Sequence, residues 1–183
     1  NILVDSFTHA VSDTTVPIVS IDAVGTRLND AAFTINNTTT NDDKIALTFN
    51  FLEEAFDSSS FTAGDITVSN NAEITDFAIN GNTATAKLGL TDTSTAENGE
   101  QTLTVFVGSN TFNDTGGNEN DSPSNTITWK CNKKKPTMVI TATDSTDSSV
   151  SHGQSINNES VTVIFTMDFT NTLPPENEND YNF

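Results

Sequence analysis

Lys44-Ile45-Ala46-Leu47-Thr48-Phe49-Asn50-Phe51 decides how this chain folds, because Ile45, Leu47, Phe49 and Phe51 alternate with small or polar residues. In an extended chain successive side chains point to opposite faces, so the stretch is a strand with one face on a core. Similar short runs lie on either side. PIVSIDA (17–23) and AAFTIN (31–36) precede it, and GDITVSN (64–70), AEITDFAIN (72–80), NTATAKLGL (82–90), QTLTVFV (101–107) and NTITW (125–129) follow. Asn80-Gly81 falls between two of these runs, and Asn-Gly is a strong short-range hairpin signal. Seven or eight strands in this length predict an all-β fold, an immunoglobulin-like antiparallel β-sandwich. Its expected core is Val19, Ile21, Phe33, Ile45, Leu47, Phe49, Phe61, Ile66, Val68, Phe77, Leu88, Leu103, Val105, Ile127 and Trp129.

Composition agrees with strands and narrows the partners. Thr, Asn, Ser and Asp dominate, while Leu, Lys, Arg and Met, all good helix formers, are scarce. A formal charge of −18, from 25 acidic and seven basic residues, repels nucleic acid and anionic membrane. No run reaches the length of a membrane span, so direct insertion is not expected. No leader peptide is visible, which says little in a chain that begins at Asn1. Cys131 is the only cysteine, so no internal disulfide can form, and it reads as an incidental thiol.

The chain also repeats itself. PIVSIDA at Pro17 recurs as PTMVITA at Pro136, TINN at Thr34 as SINN at Ser155, and KIALTFNF in pattern as SVTVIFTMDF. The order is the same in both copies, which sets a module of roughly 120 residues, and the differing offsets place the length changes in loops. Asp180-Tyr181-Asn182-Phe183 falls opposite Asp65-Ile66-Thr67-Val68, so the chain is expected to stop inside a strand of a second module. The expected layout is residues 1–14 as the last strand of a preceding module or a donor strand, 15–132 as one complete module, and 133–183 as linker and first half of another.

FTAGDITVSNNAEITDFAINGNTATAKLGL (61–90), followed by QTLTVFVGSNTFNDTGGNEN (101–120), resembles the bacterial immunoglobulin-like domains that occur in tandem in large surface proteins and adhesins. The resemblance covers Pro17 to about Trp129, and Pro136 to Phe183 in part. It implies an extracellular, cell-surface spacer or adhesive module and no chemistry.

Catalysis finds no motif. His9 and His152 stand in polar contexts without a nucleophile pattern, and Glu53-Glu54 and Asp42-Asp43 are neighbours that a strand would point apart, so no enzyme is expected. NDTGGNENDS (113–122) sets Asp114, Asn118, Glu119 and Asp121 around Gly-Gly, hard oxygen donors of the kind calcium takes, although the spacing is not an EF-hand. The resemblance implies that the same turn can bind calcium. Glycosylation sequons occur at Asn36, Asn37, Asn113, Asn120 and Asn158, of which Asn37 and Asn158 fall at matching places in the two copies. Thr38, Thr39 and Thr40 add O-linked candidates. Lys130, Lys133, Lys134 and Lys135 cluster at the module junction, either as a solvated linker or as a basic collar against acidic loops of the adjoining module.

These readings predict a structural or adhesive repeat, its partners being copies of itself or adjoining modules arranged head to tail into a thin fibril. The second half-module would be completed either by further chain or by a strand such as Ile2 to Val11 from a neighbour. The competing reading is a carbohydrate-binding module with surface glycans as ligand, which requires exposed aromatic side chains.

Overall fold

The alternation in Lys44–Phe51 becomes the central strand of a five-stranded sheet. The computed structural model describes residues 12–26, 32–52, 56–69, 71–146, 148–157 and 160–168. Numbered in chain order, β1 (Val19–Thr26), β2 (Ala32–Thr34), β4 (Lys44–Phe51), β6 (Ala72–Asn80) and β7 (Thr83–Leu90) form an antiparallel sheet in the order β2-β1-β4-β7-β6. A second sheet takes β3 (Thr38–Thr40), β5 (Ile66–Val68), β8 (Gln101–Val107) and β9 (Ile127–Cys131) in the order β3-β9-β8-β5. Its pairs are antiparallel except β3 with β9, which run parallel. The fold is all-β, with one short helix, α1 (Ser94–Glu97), and two single-turn 3-10 segments among the described residues.

Both sheets feed one core. Every second residue of β4 is buried, as are Val19, Ile21 and Ala23 of β1, and Leu103, Val105, Val107, Ile127 and Trp129 of β8 and β9 join them. Of the expected core residues, Phe33, Val68 and Phe77 are only partly buried at its margin. Phe77 lies just past a register shift in β6, where Asp76 adopts φ +54° and the pairing slips between Thr75 and Ala78. A bulge of this kind rotates the strand and lifts the following side chain off the core. Ile35, Phe56, Phe112 and Cys131, which are not among the expected core residues, are buried too.

One end of the core is aromatic. Phe51 stacks on Phe56 at 3.7 Å and meets Phe61 and Phe112 edge-on, each at 5.1 Å, while Phe61 also contacts Phe49 and Phe77. Edge-to-face pairs add about 0.5–1.5 kcal/mol beyond area burial. The phenylalanines of this region are therefore structural.

Two turns differ from the sequence reading. The β6–β7 loop consists of Gly81 and Asn82, with Asn80 paired to Thr83, so Asn80 ends a strand instead of entering the turn. Gly81 takes φ +59° and Asn82 does not share a positive φ, the pattern of a turn with glycine first. Asn82 is held in line with β7 because its carbonyl accepts the Phe51 amide, which extends the β4 ladder by one residue. The threonine run 38–40, which does not figure among the expected strands, is strand β3. Thr40 is buried, and its hydroxyl oxygen accepts the Trp129 indole N–H at 3.0 Å.

A two-stranded antiparallel sheet follows, β10 (Thr137–Asp144) with β11 (Val161–Asp168). Its register places Met138 opposite Met167, Ile140 opposite Phe165 and Ala142 opposite Val163. The β1–β4 pair has Val19 opposite Phe51, Ile21 opposite Phe49 and Ala23 opposite Leu47. The two registers are the same, each β10 position lying 119 residues beyond its β1 counterpart (138 − 19) and each β11 position 116 beyond β4 (167 − 51).

A third correspondence corrects the repeat alignment. The Ile35 amide donates to the Ala23 carbonyl at 2.8 Å, and the Val150 amide donates to the Ala142 carbonyl at 2.9 Å, with Thr143 bridged to Ser149 as Val24 is to Thr34. Ser149-Val150 thus stands beside β10 as Thr34-Ile35 stands beside β1. Ser155-Ile156 is therefore not the structural counterpart of Thr34-Ile35. The shared letters mislead because Asn and Ser are abundant, whereas the hydrogen bond to the strand defines the position.

Candidate functional site

In an antiparallel pair, residues directly opposite share a face, so Met138, Ile140, Ala142, Val161, Val163, Phe165 and Met167 form one side of the β10–β11 hairpin. That side is apolar apart from Asp144 at its end. The opposite side carries Thr137, Thr141, Thr143, Thr162, Thr166 and Asp168, with Val139 and Ile164 among them. The equivalent face of β1–β4 is the heart of the core: Phe49 is fully buried, whereas Phe165 is 60% exposed. Nothing among the described residues buries this face. Beyond it, β4 is flanked by β7, while the outer edge of β11 has no strand beside it in the described sheet.

An exposed apolar face of this continuity is unusual on a protein surface, and a lone two-stranded hairpin is marginal in water. Phe165 is also the one exposed aromatic side chain among the described residues.

The other candidate residues are placed differently. Asp114 is buried in the connection between β8 and β9, and its carboxylate accepts from the Asn118 backbone amide at 2.8 Å and the Asn118 side-chain amide at 2.7 Å. Those bonds hold its pKa below the ordinary 3.8. Glu119 and Asp121 are exposed, and Asp121 accepts from the Ser122 hydroxyl. Among the described residues no group of three or more His, Cys, Asp or Glu is placed to hold a metal ion. The loop closes on itself through Asn118, which donates to both oxygens of Asp114.

Asn120 is fully buried. Its side-chain oxygen accepts the amides of Thr111 and Phe112, and its nitrogen donates to the carbonyls of Gly108 and Ser122. The folded loop leaves that nitrogen no room for a sugar. Asn36 and Asn37 are exposed in the turn before β3, with Asn37 at φ +54°, and Asn113 is half-buried. Asn158 lies outside the described residues, as do His9, Glu53, Glu54 and the segment Ile2 to Val11. His152 is exposed beside Gly153.

Two of the lysines expected as an inter-module collar, Lys130 and Lys133, pair with acidic residues of the first unit. Lys130 pairs with Glu100 at 3.5 Å and Lys133 with Asp43, an ion pair that raises the lysine's pKa. The Lys133 amide also donates to the Ala96 carbonyl, tying the start of the linker to α1. Lys134 is half-buried, with its amide on the Asn132 side chain, and Lys135 is exposed. Cys131 is buried, its thiol on the Asp42 carbonyl, and burial pushes its pKa up to about 11.

No family model, curated protein or solved structure matches this chain. Among the described residues no helix is long and apolar enough to cross a membrane.

Proposed function

We propose that the chain is part of an extracellular structural or adhesive protein, without catalysis, built from immunoglobulin-like β-sandwich modules set head to tail. The strand order supports the module type. If β1, β4, β7 and β6 are named A, B, E and D, and β5, β8 and β9 are named C, F and G, the two sheets follow the A-B-E-D and C-F-G arrangement. Strand β3 lies beside G as a continuation of A, and β2 is an addition at the outer edge. Extracellular placement draws on the resemblance to surface-protein repeats and on an acidic, Asn- and Thr-rich surface.

The observation that carries the repeat is the register of β10–β11. It reproduces strands A and B residue for residue, with the same core face turned to one side. A second module begins there, and its apolar face calls for the strands that cover the first. Heterologous contacts repeated without closure build an open filament, which makes a fibril or stalk the assembly this chain serves. The carbohydrate-binding alternative has less to support it, because among the described residues most aromatic rings pack in or against the core and Phe165 alone is exposed.

Stretching single molecules of native material tests the reading. A module of roughly 119 residues extends at about 3.4 Å per residue, so tandem modules give evenly spaced unfolding peaks about 350–400 Å apart. A single peak, or irregular spacing, would contradict the tandem array.

A further inference from the structure

Asn-Gly occurs twice in the chain, at Asn80-Gly81 and at Asn98-Gly99. The dipeptide is chemically labile, because glycine puts no side chain beside its backbone nitrogen, and that nitrogen can approach the carbonyl carbon of the preceding asparagine side chain. Both asparagines are exposed, and nothing lies within 4 Å of where a Cβ would stand on either glycine. Access therefore does not separate the two sites. Their backbones do.

Asn80 is held in a ladder. It pairs with Thr83 across β6 and β7, its carbonyl accepts the Thr83 hydroxyl at 2.9 Å, and the Asn82 carbonyl next to it accepts the Phe51 amide at 3.0 Å. Bringing the Gly81 nitrogen onto the Asn80 side chain turns the intervening peptide out of the strand and breaks that end of the ladder. Asn98 instead caps the four-residue helix α1 and lies in no strand. Its side-chain nitrogen donates to the Ser94 carbonyl and its backbone amide to the Thr95 carbonyl, both at 3.3 Å, which are long bonds at an exposed helix end. Such an end opens locally at little cost.

We propose that Asn98 is a site of spontaneous deamidation in the folded chain, and that Asn80, with the same neighbour, is protected by its hairpin. The Gly99 backbone nitrogen bonds to the Asn98 side-chain carbonyl carbon, its proton passes to the side-chain nitrogen, and that nitrogen departs as ammonia, closing a five-membered succinimide. Water then opens the ring at either carbonyl and gives aspartate or isoaspartate. The net reaction consumes one water, releases one ammonia and involves no change of oxidation state. The product places a negative charge at the C-terminal end of α1, between Glu97 and Glu100, and removes the donor to the Ser94 carbonyl. The Ala96 carbonyl of the same helix accepts the Lys133 amide at 3.0 Å, so the conversion falls where the first unit meets its linker.

The test incubates the full chain at neutral pH, once folded and once in urea, and follows both sites by peptide mass spectrometry with electron-transfer fragmentation, which distinguishes isoaspartate from aspartate. Trypsin separates the sites, because Asn80 falls in the peptide 45–87 and Asn98 in the peptide 88–130. In the folded chain Asn98 is expected to convert at least about fivefold faster than Asn80, the factor that one additional hydrogen bond to be broken supplies. In urea the two rates are expected to agree within about twofold, since the ladder is gone and only the shared Asn-Gly sequence acts. A smaller ratio in the folded chain, or a ratio that survives unchanged in urea, would overturn the proposal.

Discussion

A single buried amide, Asn120, holds the long connection between β8 and β9 in shape, with four hydrogen bonds to backbone groups that otherwise have no strand partner there. Removing it leaves buried donors and acceptors unpaired, so Asn120→Ala is expected to cost about 2–4 kcal/mol in urea unfolding. Asp114 does similar work as an anion. Its pKa is lowered in the folded state, chiefly by the Asn118 side chain, so its stabilising contribution is full above the ordinary value of 3.8 and lost as pH falls through the lower folded value. Acid unfolding of the wild type should therefore set in below about pH 4, and Asp114→Asn should flatten that dependence in a pH series of melting curves. Cys131, at about 11, should resist maleimide at pH 8 until the chain is unfolded. In sequence both Asn120 and Asp114 read as surface chemistry, a sequon and a ligand. The hydrogen bonds that converge on them, invisible in a string of letters, show the part each plays in holding the loop.

At the scale of elements, what was legible is what alternates. Strands β1, β4, β7, β8 and β9 follow from period-two burial, and most of the core follows with them. Strand β3 was not legible, since three threonines carry no polarity contrast and their pairing with β9 is decided by Trp129 and Thr40. The Asn-Gly signal located the hairpin but missed its register by one residue, because the Phe51 amide claims the Asn82 carbonyl. Gly81 alone carries the positive φ in that turn, so Gly81→Val should destabilise the chain by about 1–2 kcal/mol in thermal unfolding, while Asn80→Ala should cost little. The repeat was legible in β10 and β11 and misread in the connection between them, where Ser149-Val150 takes the place given to Ser155-Ile156.

For the whole molecule the central claim is that the β10–β11 face is the inner face of a second module and is covered in native material. The chain carries its own reporters: Met138 and Met167, its only two methionines, sit opposite each other on that face, 53% and 38% exposed. Thioether oxidation depends on access, so brief peroxide treatment followed by peptide mass spectrometry reads coverage directly. The account predicts that both methionines oxidise readily in the isolated 183-residue chain and are protected in native material, regaining reactivity only when that material is denatured. Native material in which Met138 and Met167 oxidise as fast as in a short unstructured peptide would contradict it.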